Sequence, residues 1–332
     1  MEKVATELSD KELREQQSDK IVNFLTRIGA YEYVQKLLSD PESRNELSFE
    51  KFRDFLVRIN GIARDIPIKE RKIDEKEIII SGGVDTFLMP KYEDKEILLK
   101  EAFDSIDKIK PGDEAYLLPA VVNAVHLFPD GNGRTSRILH TLLKSKSNEE
   151  FIQNLKLAVD YDGRFKSADI SAGFVYAEIE KIILMKHGMK FEDNKSFSAI
   201  MPDGRTGLIA RGEKPKTQKA IKFMSLCDTD MSYCFISASE YLKEISIFEK
   251  VFDKKLPLFI VSAEKMVQEL TEDDWDEIIK RYYLLKKEHV EVLIDIFIKP
   301  EAYKNLDGSM NLRDYFIQEI QNELKKNQEA GV

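Results

Sequence analysis

Cysteine is almost absent from this sequence, and so are long apolar runs. The 332 residues include only two cysteines, Cys227 and Cys234, with no partner histidine or cysteine at metal-binding spacing. A disulfide framework or a zinc site is therefore disfavoured, and we expect two thiols in a reducing compartment. A run of about 18 apolar residues is also missing, so the sequence predicts no membrane-spanning helix.

The chain also lacks an excess of positive charge and a recognisable leader. Its formal net charge of −9 argues against binding to nucleic acid or to an anionic membrane surface. The N-terminal residues are charged and polar, which is typical neither of a signal peptide nor of a transit peptide. We therefore expect a cytoplasmic protein.

Apolar residues recur at helical spacing through the first sixty residues. Residues 21–28 and 31–38 predict two short helices that Gly29 separates. Residues 49–59 predict a third helix, which the pair Asn60–Gly61 is expected to end. These segments predict a small helical bundle with a structural role.

The strongest β-signal in the chain is the run Ile78-Ile79-Ile80. Ser81, Gly82 and Gly83 follow it, and a second short run extends from Val84 to Met89. Two short runs around a glycine pair are typical of a β-hairpin.

The most informative stretch is residues 126–137, HLFPDGNGRTSR, between two apolar helical segments. His126 has the unperturbed pKa that suits proton transfer near neutrality, and Asp130 offers the hard oxygen that Mg²⁺ prefers. Gly131 and Gly133 flank Asn132, and such a turn can direct several backbone N–H groups toward one anion.

Two arginines, Arg134 and Arg137, follow in the first turn of the second helix and share one of its faces. Cations are unfavourable at a helix N-terminus, so this pair indicates a bound polyanion. Each feature alone has an ordinary structural interpretation, and only their joint occurrence favours a site.

Pro119 is expected to kink the preceding helix, and His140 is interpreted as a core residue.

In this order the residues resemble the signature of the Fic family (filamentation induced by cAMP), H-x-F-x-[DE]-G-N-G-R-x-x-R. Every fixed position of the signature is filled. Leu127 stands where many members carry proline, and Pro129 occupies a free position. The resemblance covers roughly residues 60–187.

The resemblance implies a Mg²⁺-dependent protein adenylyltransferase, which transfers AMP from ATP to a Tyr, Thr or Ser hydroxyl of a target protein. It implies that His126 accepts the proton of that hydroxyl, that Asp130 holds Mg²⁺ and that Phe128 anchors the loop. Catalysis of this kind depends mostly on positioning and charge stabilisation. The resemblance assigns nucleotide binding to the remaining motif residues, Gly131, Asn132, Gly133, Arg134 and Arg137.

The resemblance also gives the predicted hairpin a role as the family's flap, which binds the target segment by strand addition. The flap residues would be Ile79, Ile80, Ser81 and Gly82, and an ordinary hairpin packed on the core is the alternative. Many members carry an inhibitory helix with the pattern [ST]-x-x-x-E-[GN], and no segment here fits it. We therefore expect either a separate inhibitory partner or an unrestrained enzyme such as a bacterial effector.

The sequence as a whole predicts a mainly α protein. We expect an N-terminal helical extension at residues 1–59, a Fic-type helical core with a small β-hairpin flap at 60–188, and a mostly helical domain of unknown role at 189–332. Two functional alternatives stay open. One is a Fic-fold enzyme that transfers UMP or phosphocholine, and the other is a non-catalytic nucleotide-sensing interaction module.

Overall fold

The computed structural model is mainly helical, which confirms the predicted fold class at this level. It describes residues 10–39, 48–65, 78–81, 85–88, 90–158, 179, 182–183, 190–191, 198–200, 206–208, 287–304, 308 and 310–329. The predictions for Gly82, Cys227 and Cys234 lie outside these residues.

The described elements follow one another in a simple order. The first half contains α1 (Asp10–Arg27), α2 (Ala30–Ser39), α3 (Phe49–Ala63), β1 (Ile78–Ser81), β2 (Asp85–Leu88), α4 (Tyr92–Asp104), α5 (Glu114–Ala124), α6 (Asn132–Lys144) and α7 (Asn148–Ala158). The second half contains β3 (Lys190–Phe191), β4 (Ser198–Ile200), β5 (Thr206–Leu208), a helix α8 at residues 287–298, and α9 (Leu312–Glu329).

The chain divides into two compact units. The first contains Met1–Asp74, Leu99–Ser171 and Ile317–Val332, and the second contains Glu75–Leu98 and Ala172–Phe316. The predicted three-part division, with boundaries after residues 59 and 188, stays a prediction. Helix α3 runs across the first of those boundaries.

In the first unit, the predicted helices around Gly29 and before residue 60 are confirmed. Gly29 adopts φ +64°, a conformation open to glycine, and its N–H donates to the Thr26 carbonyl at 3.0 Å, which ends α1. Helix α6 packs against α2, α3, α5 and α7, so it carries much of the core of this unit. Its inward side chains Ile138, Leu139 and Leu142 are fully buried.

The prediction that Asn60 and Gly61 end the third helix is wrong. Helix α3 continues through both residues to Ala63, and both are buried. The Asn60 side chain lies on the same face as Phe52 and Leu56, and it forms hydrogen bonds with residues far along the chain. These tertiary hydrogen bonds outweigh the low helix propensity of asparagine and glycine.

Helix α5 contains Pro119 and remains helical through it. Proline has no N–H, so the carbonyl of Ala115 loses its partner within the helix. The Nδ1 of His140 on α6 takes that place and donates to the Ala115 oxygen at 2.5 Å. Ser136, one turn earlier on α6, donates to the Pro119 carbonyl at 2.8 Å. Two side chains of α6 thus brace α5 where proline interrupts its hydrogen bonding.

The second unit contains the described strands and helix α8. Strands β1 and β2 pair antiparallel, with Ile79 opposite Phe87 and Ile80 opposite Thr86. Strands β3, β4 and β5 form a second antiparallel sheet in the order β3-β4-β5. Lys287 donates to Asp94 at 3.1 Å within this unit.

No described helix combines the length and the hydropathy that are needed to cross a bilayer.

Candidate active site

His126 lies at the chain reversal that follows α5. Its backbone is left-handed, with φ +51°, and its N–H donates to the Asn123 carbonyl at 3.2 Å. This conformation costs a residue other than glycine about 1–2 kcal/mol. The neighbours Val125, Leu127 and Phe128 are fully buried, so the surrounding core holds the strained backbone in place. His126 itself is only half-buried.

The loop after His126 is closed by the side chain of Asn132. Its Oδ1 accepts from the Phe128 N–H at 2.8 Å, and its Nδ2 donates to the Phe128 carbonyl at 2.7 Å. Asn132 is 2% exposed, so both of its polar atoms are committed to the loop backbone. Phe128 is fully buried, in agreement with the predicted anchor. The side chain of Asn132 thus holds the loop closed, and the predicted role of this residue in nucleotide binding stays a prediction.

Gly131 makes the turn from the loop into α6. Its φ is +79°, and a Cβ on it would lie 2.8 Å from Cγ of Arg64 and 3.1 Å from Nδ2 of Asn60. No larger residue fits this position without displacing its neighbours. Gly133 has a different neighbour, because a Cβ there would lie 3.1 Å from Nη1 of Arg137. The guanidinium of Arg137 thus lies directly over the first turn of α6.

The carboxylate of Asp130 is exposed and lies between two arginines. Its Oδ2 is 3.1 Å from Nη2 of Arg134 and 3.3 Å from Nε of Arg64. Its Oδ1 accepts from the Gly131 N–H at 2.6 Å. Arg134 also donates to the Ala63 carbonyl at the end of α3, at 3.1 Å. The loop carboxylate thus contacts one guanidinium from the end of α3 and one from α6, with Arg137 one turn further along α6.

The Fic/DOC family model matches residues 45–143. Residues 45–143 form a Fic/DOC family domain. The match covers less than a third of the chain, from just before α3 to the last turn of α6. Members of this family are usually transferases. Comparisons with curated proteins and with solved structures gave no match.

The last turn of α3 belongs to this Fic domain and supports the motif loop. Asn60 donates to the Asp130 carbonyl at 2.9 Å and to Oγ1 of Thr135 at 3.0 Å. Arg64, one turn later, reaches the Asp130 carboxylate. Neither residue was predicted from the sequence to belong to the site. One signal in the sequence could have indicated the role of Asn60. It lies on the apolar stripe of Phe52 and Leu56, and a buried amide requires hydrogen-bond partners elsewhere in the fold.

Among the described residues of the chain, no three His, Cys, Asp or Glu side chains cluster as ligands for a metal ion. Asp130 is the carboxylate that the Fic loop exposes. Mg²⁺ at phosphate sites is typically held by one or two carboxylates together with the substrate phosphates. The described donors around the loop therefore fit a cation that arrives with a nucleotide.

The flap prediction rests on strand β1. Three of its four predicted residues, Ile79, Ile80 and Ser81, lie in β1 and are paired on one side with β2. In the described sheet, β1 has β2 as its neighbour on one edge only. The flap role of these residues stays a prediction.

Proposed function

We propose that the Fic domain of this chain is a Mg²⁺-dependent protein adenylyltransferase that transfers AMP from ATP to a hydroxyl group of a target protein. The observation that carries the proposal is the arrangement of a single loop. It places a half-buried histidine at one end and an exposed carboxylate at the other, where the carboxylate contacts Arg134 of α6 and Arg64 at the end of α3. A base and a phosphate-binding cluster within a few residues suit the attack of a hydroxyl on a phosphorus atom.

In the proposed reaction, the target hydroxyl oxygen attacks the α-phosphorus of ATP. A new bond forms between that oxygen and the α-phosphorus, and the bond from the α-phosphorus to the bridging oxygen of pyrophosphate breaks. His126 accepts the proton that the hydroxyl loses. The products are the adenylylated target and pyrophosphate, and the proton later passes from His126 to solvent.

Arg134 and Arg137 would bind the phosphate oxygens and balance the charge of the departing pyrophosphate. Gly131 makes the turn into helix α6, and the backbone N–H groups of Asn132 and Gly133 open that helix. A helix N-terminus offers unpaired donors and partial positive charge to an anion. The close approach of backbone to phosphate is favoured because neither glycine carries a Cβ. The absence of acidic residues from the first turn of α6 agrees with this role.

Asp130 would hold the Mg²⁺ ion that accompanies ATP. When bound, that ion supplies charge neutralisation along the triphosphate. The carboxylate is 60% exposed, so a ligand can reach it from solvent. Its present partners are two arginines, and exposed ion pairs of this kind contribute only about 0–1 kcal/mol each. Exchanging them for a divalent cation and phosphate oxygens is therefore a modest rearrangement.

The target would be a protein with a Tyr, Thr or Ser hydroxyl in an extended segment. We propose that such a segment adds to the edge of β1, with Ile79, Ile80, Ser81 and Gly82 as its partners. Strand addition binds a segment mainly through backbone hydrogen bonds, so it places few demands on the target sequence. A separate inhibitory partner, or delivery to a host cell as an effector, would account for the missing inhibitory helix.

The decisive experiment is intact-mass spectrometry of the purified chain after incubation with ATP and Mg²⁺, with and without a cell lysate as a source of target. We expect an adduct of one AMP on the chain or on a lysate protein, and we expect none with His126→Ala. The His126→Ala variant should still bind ATP, since the phosphate contacts remain. Thermal unfolding of the variant serves as the control for folding.

Parallel incubations with UTP and CDP-choline separate the alternatives. An adduct that forms with one of these donors and not with ATP would replace adenylylation by transfer of UMP or phosphocholine. ATP binding without an adduct from any donor would overturn the enzymatic proposal in favour of a nucleotide-sensing module. An adduct that persists in His126→Ala would contradict the role of His126 as the base.

A further inference from the structure

Arg64 is fixed against the motif loop although it lies about sixty residues before that loop in the sequence. Its aliphatic stem packs on Gly131, since a Cβ on that glycine would lie 2.8 Å from Cγ and 2.9 Å from Cδ of Arg64. Its Nε is 3.3 Å from Oδ2 of Asp130. The arginine side chain is 24% exposed, so it combines a packed stem with a solvent-accessible head.

Two guanidinium groups meet at one oxygen atom beside the loop. The same Oδ2 atom of Asp130 contacts both Arg64 and Arg134. Two positive groups thus share a single carboxylate oxygen. Like charges gathered in this way repel one another, and a polyanion that binds between them removes the repulsion.

We propose that Arg64 is a third arginine of the phosphate site and contacts the phosphate chain of the bound nucleotide. This inference rests on the proposed function, because it assumes that a nucleotide binds at the loop. The guanidinium of arginine carries five donors, and only Nε of Arg64 is directed to Asp130. A triphosphate offers the other donors more anionic oxygens than one carboxylate does, in the planar geometry that arginine matches best.

The position of Arg64 on α3 favours this role. Arg64 is the C-cap residue of α3, where the partial negative charge of the helix end stabilises a cation. Asn60, one turn earlier, fixes the same helix end to the loop through hydrogen bonds to Asp130 and Thr135. The guanidinium is therefore attached to a rigid part of the fold, which reduces the conformational entropy that is lost when a ligand binds.

The test is equilibrium binding of two ligands to the full chain. One ligand is MgATP, and the other is inorganic tripolyphosphate, which is measured separately in metal-free buffer. Arg64→Met keeps most of the stem and removes the charge, and Arg64→Lys keeps the charge but loses the planar donor array. Arg58→Met is the matched control, because it removes the same charge from an exposed position on the same helix. Thermal unfolding of each variant reports whether it is folded, and Arg64→Gln serves as a second neutral variant.

We expect Arg64→Met and Arg64→Gln to weaken the binding of both ligands about tenfold or more, as the loss of a charge-assisted contact predicts. Arg64→Lys should lie between these variants and the wild type, and Arg58→Met should bind as the wild type does. Equal affinities of the wild type and Arg64→Met for both ligands would overturn the assignment of Arg64 alone.

Weaker binding of MgATP with unchanged binding of tripolyphosphate would also overturn it, since Arg64 would then act only by positioning Asp130. A wild-type chain that binds neither ligand would overturn the proposed function itself, and the role of Arg64 with it.

Discussion

Acidification should destabilise the Fic domain through His140. This imidazole is buried between α5 and α6, and burial lowers its pKa from 6.5 to about 4 despite the hydrogen bond to the Ala115 carbonyl. Lys144 nearby lowers the pKa further. Because the folded chain binds the proton less tightly than the unfolded chain does, the neutral imidazole stabilises the fold above the unfolded pKa of 6.5.

The sign and size of the effect follow from this difference in pKa. The stabilisation is fully present above about pH 6.5 and is lost as pH falls toward about 4, because the unfolded chain binds the additional proton in that window. The free energy of unfolding should decrease by about 2 kcal/mol at pH 5 and by about 3 kcal/mol at pH 4, relative to neutral pH. Such a loss is a large fraction of the stability of an ordinary domain.

The measurement is urea unfolding of the wild type and of His140→Asn at several values between about pH 7.5 and about pH 4. The asparagine amide can still donate to the Ala115 carbonyl, but it does not titrate. Other groups contribute to both curves, including Glu114, whose pKa burial raises. Only the difference between the two curves isolates His140.

Equal slopes of stability against pH in the wild type and in His140→Asn would refute the reasoning. A steeper loss in His140→Asn than in the wild type would refute it as well, because the sign would be reversed. The smaller asparagine leaves a cavity, so His140→Asn should be less stable at neutral pH. That offset does not alter the comparison of slopes.

Three further predictions concern the loop itself. Gly131→Ala should lower the free energy of unfolding by more than the about 1–2 kcal/mol expected for a left-handed residue. The control is Gly112→Ala, which should lower it less, because Gly112 also has a positive φ of +95° but a Cβ there would meet nothing within 4 Å. Urea unfolding compares the two variants. Asn132→Ala should lower the free energy of unfolding by at least about 2 kcal/mol, because the buried N–H and carbonyl of Phe128 lose their partners. Stability equal to the wild type would contradict the role of the Asn132 side chain in closing the loop. Gly133→Ala should displace the Arg137 guanidinium and weaken MgATP binding while leaving the melting temperature nearly unchanged; unaltered affinity would remove Arg137 from the phosphate site.

The sequence alone predicted the elements that carry the site. Apolar spacing indicated the two helices on either side of residues 126–137, and small and charged residues indicated the loop between them. These features are local, since helix periodicity and turn chemistry involve residues a few positions apart. The resemblance carried by the same stretch was confirmed by the family match.

Only the tertiary structure decided how the loop is held. The contacts of Asn60 with Asp130 and Thr135, and of Arg64 with Asp130, join residues that are far apart along the chain. No periodic pattern encodes such pairs, and the local sequence of Asn60 and Gly61 predicts the end of a helix instead.

The hydrogen bonds of the motif residue Asn132 were likewise not predictable from residue type and spacing, and its predicted role in nucleotide binding stays a prediction. Its hydrogen bonds to Phe128 show that the side chain holds the loop closed. Residue type and spacing determined which groups are gathered in this loop. Packing between α3, α5 and α6 determined which of those groups face inward and which remain available to a ligand.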